Sequence, residues 1–319
     1  MARSAGVCWL AALCIFAFTL TPHLHAADAS SELAPLAAKS LLLDVARAGD
    51  RLVVVGDRGH VLLSDDEGGS WRQVVTPTRA MLTGVSFSDA QHGWAVGHDG
   101  VILATTDAGL SWTRQRPNTD IDTIWLDVHF HDANHGTAIG AYGKWITTQD
   151  GGRTWIDVSD RSDDESHLNH IGVSPDGDTY LAGEGGLLLM KRKQDVKWTN
   201  AEISYEGSFF GTLLLEDGQV LVYGLRGHVF IAANATAEWI EREMPVAVLL
   251  TAGVQLKSGV IVLAGAGGNF FISRDGAKTF GAWKPAGYLG GVSALLETKD
   301  GALLAAGESG VARLQLPLK

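Results

Sequence analysis

Asp127-x-His129-x-His131 is the stretch of this chain best suited to hold a metal ion. Side chains two apart on a strand share a face, and one carboxylate with two imidazoles offers the donors that zinc takes. The matching positions of the preceding repeat are Gly84, Ser86 and Ser88, so this face is polar in any case. The plainer reading is a hydrated inner strand near a channel, with no metal. His167 and His170 follow an acidic run from Asp160 to Glu165 and read as a solvated linker.

A second group is cationic and aromatic. Arg58, His98, Tyr142 and Arg226 lie within G-x-x-G turns; Lys144 and His228 follow such turns directly; Arg79, Trp125 and Tyr288 lie between repeats. Guanidinium groups bind carboxylates with two parallel hydrogen bonds, and rigid aromatics supply contact area at little entropic cost. Together these residues form a basic spot rimmed by rings, suited to an extended acidic or C-terminal peptide of a protein partner. No catalytic residue and no cofactor are expected. The G-x-x-G turns join strands rather than opening a helix, so they are not phosphate loops.

Placing these side chains together is the work of a repeat. G-x-x-G occurs at Gly56-Gly59, Gly97-Gly100, Gly140-Gly143, Gly183-Gly186, Gly224-Gly227, Gly265-Gly268 and Gly307-Gly310, every 41–43 residues. Fifteen residues after the first glycine stand Trp71, Trp112, Trp155, Trp198, Trp239 and Phe280; the seventh such position lies past residue 319. Short strands with turn residues between them fill each unit, four per repeat, which is the pattern of a β-propeller blade. The expected fold is therefore all-β, a seven-bladed propeller over residues 27–319. Its blades are placed at about 41–76, 82–117, 125–160, 168–203, 209–244, 248–284 and 290–319. The last unit stops after its third strand. An open edge there invites mispairing, so residues 30–37 are expected to supply the missing strand and close the ring.

Ahead of the aromatic a second pattern recurs, as Ser64-x-Asp66-x-Gly68-x-Ser70-Trp71, Thr105 to Trp112 and Thr148 to Trp155, with a weaker copy from Ser273 to Phe280. This Asp-box is read as structural. Its aspartate caps a hairpin, its glycine permits positive φ, and its tryptophan packs between blades.

Composition agrees with many tight turns. Glycine accounts for 39 of 319 residues, well above the usual share of roughly 7 %. The net charge of −11 repels phosphate backbones and argues against a nucleic-acid partner. Both cysteines, Cys8 and Cys14, fall in an apolar run from Val7 to Leu20 that follows Arg3 and precedes Ala26. That layout reads as a signal peptide over residues 1–26, cleaved near Ala26. It points to an exported protein of a periplasm or an equivalent lumen, and the protein is separately expected to be a monomer.

Units two and three resemble the photosystem II stability/assembly factor family of BNR-type propellers. The residues that carry the likeness are Leu82-x-x-Val85-x-Phe87-x-Asp89-x-x-His92-Gly93-Trp94-Ala95-Val96-Gly97-x-x-Gly100 with Ile102 and the Thr105–Trp112 box. Unit three repeats them from Leu126 through Trp155, and the match weakens after residue 190. The resemblance implies a non-enzymatic propeller that binds a membrane-protein partner during assembly. In a non-photosynthetic bacterial relative the partner would be another membrane protein or transport complex. Asp-boxes also occur in sialidases, which makes a glycoside hydrolase the alternative. That chemistry needs converging arginines and a Tyr/Glu pair, and no Arg-Ile-Pro motif stands in the first unit. A carbohydrate-binding propeller stacking sugars on Trp125 and Tyr288 is the other alternative.

Overall fold

The structure, a computed structural model, describes residues 29–115, 121–159, 165–234 and 237–317; the expected export signal at 1–26 lies outside them. Within these residues the chain forms seven antiparallel sheets, six of four strands and one of three, each running from inner to outer strand in chain order. The inner strands are Leu42–Ala48, Leu82–Phe87, Trp125–Phe130, Leu168–Val173, Phe209–Leu214, Leu250–Gln255 and Val292–Glu297. Each packs against the next, and the seventh packs against the first. The protein is a seven-bladed β-propeller.

Second strands are buried on both faces because each blade is sandwiched between two others. In blade one, Val53 and Val55 join the core shared with blade two, while Val54 joins Leu42, Ala294 and Ala306 at the joint with blade seven. The recurrent aromatics fill these joints: Trp112 lies between blades one and two, Trp198 between three and four, and Phe280 between five and six. An aromatic side chain buries on the order of 200 Å², worth roughly 5 kcal/mol of transfer free energy.

The first glycine of each G-x-x-G turn answers a close approach rather than a demand for positive φ. The carbonyl oxygen of Met81, at the entry to the second inner strand, accepts the N–H of His98 at 2.9 Å. A Cβ on Gly97 would stand 2.0 Å from that oxygen, and the same clash, at 1.9–2.5 Å, recurs at the first glycine of the other six turns. A β-bulge at the second residue of every inner strand brings the carbonyl into place. The second glycine is the left-handed one, as at Gly59 with φ +69°.

At the opposite end, the Asp-boxes are built as the sequence suggests. Gly68 N–H donates to Ser64 Oγ, Ser70 N–H to Asp66 Oδ1, and Ser70 Oγ to Asp66 Oδ2 at 2.6 Å. Thr105/Asp107, Thr148/Asp150 and Ser273/Asp275 repeat the arrangement. Hydroxyl and backbone donors favour the charged form and hold Asp66 and Asp150 at a pKa of about 2.

Blade seven closes differently from the sequence expectation. Residues 30–37 form no strand and add none to its sheet, which keeps three strands. Ala34 and Ala37 pack into the core that Ala294 and Ala306 of blade seven share with blade one, but the segment's hydrogen bonds go to blade one. Ser31 N–H donates to the carbonyl of Thr76, Ala34 N–H to Gln73 Oε1, and Arg79 Nε to the carbonyl of Ser30. Side-chain and carbonyl acceptors near the outer strand of blade one thus take up the hydrogen bonds that an edge strand would have made. Residues 37–39 then turn past Gly310, where a Cβ would lie 2.1 Å from the carbonyl oxygen of Ala38. On the Asp-box end, Arg47 pairs with Glu67 at 2.8 Å and donates to the carbonyl of Glu297, and Lys299 N–H donates to Glu67. This cluster ties blade one to blade seven.

Gly97→Ala is expected to destabilise the protein by about 2 kcal/mol through overpacking, lowering the thermal midpoint by roughly 3–8 °C. Gly281→Ala, whose Cβ would meet only the Ile272 carbonyl oxygen at 3.9 Å, should change it little. Equal midpoints for the two variants, read by calorimetry, would refute the close-approach account.

Candidate functional site

The end of the ring that carries the G-x-x-G turns displays side chains where the backbone would prefer none. The third residue of each turn adopts left-handed φ in six blades: Arg58 (+53°), Asp99 (+55°), Tyr142 (+55°), Gly185, Arg226 (+57°) and Gly267. A non-glycine residue costs roughly 1 kcal/mol or more there. Blades four and six accept glycine, so the geometry itself does not require a side chain. Arg58, 80 % exposed, lies 3.5 Å from its neighbour Asp57, and Tyr142, 63 % exposed, meets His167 edge to face at 4.9 Å. Arg226 is exposed as well, and Lys144 is half-buried beside Tyr142 in sequence. Blades one and five are three steps apart around the ring, so Arg58 and Arg226 flank the channel mouth rather than forming one patch.

Other members of the expected basic spot have different roles. Trp125 is 1 % exposed and Tyr288 3 % exposed. Trp125 opens the third inner strand and packs into the joint between blades two and three, and the Tyr288 ring packs on Phe270. Neither is a rim aromatic or a stacking platform for sugars. Arg79 is engaged by Ser30 and Glu32 of the N-terminal segment. His228 pairs with Glu241 at 2.6 Å and lies against the Tyr205 ring. His98 is half-buried, its backbone N–H held by Met81. The spot therefore reduces to Arg58, Tyr142, Lys144 and Arg226, among acidic neighbours Asp57, Asp99 and Glu184.

Asp127, His129 and His131 do alternate along an inner strand, but Asp127 is committed to the protein. Its Oδ1 accepts from Val128 N–H and its Oδ2 from Ile171 N–H in the next blade, at 2.7 and 2.8 Å. His129 and His131 meet edge to face at 4.9 Å. No group of three side chains placed to hold a metal occurs among the described residues.

Asp127 belongs to a ring of cross-blade ties that sequence reading missed. Asp44 does for blades one and two what Asp127 does for three and four, accepting from Val45 and Val85 N–H at 2.8 Å. His170, far from being a solvated linker residue, lies in the channel and accepts from Thr212 N–H of blade five through Nδ1. At the bulges Thr83, Asn169 and Thr251 donate to the carbonyls of Trp125, Phe209 and Val292. These groups surround an axial cavity of about 290 Å³ whose described lining contains no arginine. Burial pushes Asp44 up to about 8, with the Asp127 charge adding to it, and Asp127 up to about 7. Burial also holds His129 and His170 down near 4, as neutral imidazoles. The only available sequence signal was the recurrence of Asp44 and Asp127 two residues after the first residue of their inner strands.

Comparison with known proteins bears on this geometry. The chain matches the family described as "Photosynthesis system II assembly factor YCF48" over residues 65–123 and 113–286, well past the point where the recurrent residues weaken. Photosystem II stability/assembly factor HCF136, chloroplastic, of Cyanidioschyzon merolae (strain NIES-3377 / 10D) is 45 % identical over 47 residues. Photosystem II assembly protein Ycf48 of Synechococcus sp. (strain JA-3-3Ab) is 37 % identical over 79 residues. These stretches cover 14 % and 24 % of this chain but only 11 % and 19 % of the relatives. The solved structure of YCF48 bound to D1 peptide superposes with a TM-score of 0.71 at 17 % identity, over 91 % of this chain and 96 % of that one.

The two half-buried channel carboxyls carry a pH signature. The folded state keeps their protons to about pH 7–8, whereas the unfolded chain releases them near pH 4, so their contribution favours folding at low pH and declines as pH rises between those limits. The neutral histidines act oppositely, losing stability as pH falls below 6.5. Asp127→Asn removes one carboxyl and leaves the histidines. Its thermal midpoint is expected to fall less than the wild type's between pH 5 and pH 9; parallel curves would contradict the burial of Asp127.

Proposed function

Because this chain belongs to the photosynthesis system II assembly factor YCF48 family, we propose that it is an exported, non-catalytic scaffold that holds an extended segment of a membrane protein during assembly. The segment lies across the G-x-x-G end. The observation that carries this reading is the set of exposed side chains held in left-handed conformation at equivalent turn tips, Arg58, Tyr142 and Arg226. Backbone strain at exposed positions that glycine fills elsewhere in the same ring indicates that those side chains are retained for contact.

The chemistry follows from their placement. Arg58 and Arg226, on either side of the mouth, can each donate two parallel hydrogen bonds to a carboxylate. Tyr142 offers a flat apolar face with a hydroxyl at its edge, and Lys144 adds charge beside it. An extended peptide with separated acidic groups, or with a free C-terminal carboxylate, spans the mouth from one arginine to the other. The related YCF48 structure holds a D1 peptide, which supports a peptide occupant here. The chain acts as a monomer in the periplasm or an equivalent compartment, without a cofactor.

Two measurements test this. Arg58→Glu combined with Arg226→Glu should reduce co-purification of the membrane partner from the native envelope roughly tenfold or more, since charge-assisted hydrogen bonds contribute about 1.5–3 kcal/mol each. Undiminished capture removes both residues from the site. N-terminal sequencing of the protein isolated from that envelope should begin at Ala27, and a chain beginning at Met1 would contradict export by a cleaved signal.

A further inference from the structure

The joint between blades three and four is built unlike the joints that an Asp-box closes. Asp66 stands five residues before Trp71 and Ser64 seven before it; the same counts back from Trp198 reach Lys193 and Lys191. Two lysines thus occupy the positions of the box carboxylate and its hydroxyl partner. The hairpin is held by other means. Arg192 pairs with Asp195 at 2.8 Å, and Lys193 N–H donates to Asp178 Oδ1 at 3.0 Å. Neither lysine ammonium forms an ion pair among the described residues, and Lys191 Nζ stands 5.9 Å from the centre of the Trp198 ring.

Space accompanies the change of charge. In blade two the Asp-box corner fills its joint, with a Cβ on Gly109 meeting Leu63 at 3.2 Å. In blade four the corner leaves a cavity of about 710 Å³, lined among others by Lys191, Lys193, His131, Trp145, Trp198 and Ser88. Two of its lining groups, Trp145 Nε1 and Ser88 Oγ, are buried without a hydrogen-bond partner. A buried donor left unpaired costs about 1–3 kcal/mol. Asp132 is the one carboxylate in the described lining, and it is committed to His135 and to the backbone N–H groups of Asn134 and His135.

We propose that this joint is a docking site for a carboxylate-bearing turn of a partner protein, which supplies from outside the charge that Asp66, Asp107 and Asp150 supply from within their own blades. Lys191 and Lys193 hold the carboxylate, and Trp198 and Trp145 form the apolar wall behind it. Ser88, Asp132, Ser174, Gly177 and Lys193 of the lining belong to turns at the Asp-box end, so the site opens on the opposite end of the ring from Arg58 and Arg226. It can therefore be occupied while the other end holds its peptide.

The test uses the full folded chain and a hexa-aspartate peptide with neutral capped ends, titrated by calorimetry at low salt. Lys191→Ser combined with Lys193→Asp puts back the box hydroxyl and carboxylate, with Asp195 and Lys197 left at its glycine and second hydroxyl positions; it should weaken binding at least tenfold. Lys191→Met with Lys193→Met, which removes charge but keeps length, should give the same loss should the first pair fold poorly. The titration is repeated on the Arg58→Glu, Arg226→Glu background, which removes the carboxylate site proposed at the other end, and one peptide-binding event, lost with the lysine substitutions, should remain. The proposal falls if the lysine variants bind as the wild type does, or if the arginine pair abolishes binding. It also falls if citrate displaces the peptide at equal concentration, which would make the joint a site for small anions.

Discussion

One backbone contact governs this ring. At the entry to each inner strand a carbonyl oxygen reaches across to the turn between the second and third strands and accepts the N–H that follows the first glycine. The approach leaves no room for a side chain at that glycine, and a bulge in the inner strand aims the carbonyl at its target. The contact fixes where each inner strand begins, hence which of its residues face the channel and which the neighbouring blades. Everything else that recurs, from the aromatics in the joints to the capped hairpins at the far end, is hung on that register.

The two ends of the ring consequently differ in freedom. At the G-x-x-G end the turns are short and pinned, so variation is confined to the tips, where Arg58, Asp99, Tyr142 and Arg226 stand. At the other end the hairpins are held by side-chain hydrogen bonds that one or two substitutions can delete, and blade four has done so. A pinned end suits a constant contact, whereas an end whose hairpins are individually replaceable can change one joint at a time.

Much of this was legible in the spacing of glycine and tryptophan, because those residues are required by contacts local to a single repeat. What escaped the sequence depends on contacts between repeats. Asp44 and His170 bond backbone N–H groups about forty residues further on, and beyond the matching places of Asp44 and Asp127 in their strands nothing local announces it. Trp125 and Tyr288 lie within a few residues of where a linker becomes an inner strand, and that short distance separates an exposed ring from a buried one. Residues 30–37 looked like an edge strand by counting back from the repeat, but their hydrogen bonds go to Gln73, Thr76 and Arg79, partners that no spacing rule supplies.

That last departure bears on how the ring comes into being. Because the N-terminal segment is latched to blade one, both halves of the latch emerge together at the start of synthesis and can settle before the later blades exist. The final seam, where Arg47 and Glu67 meet Glu297 and Lys299, joins residues some 250 positions apart and has no shared strand to draw its sides together. Closure must wait for the whole chain, and the same seam is where a pulled or heated ring should part first. A ring built in this way remains an open string of blades until the last of them is made.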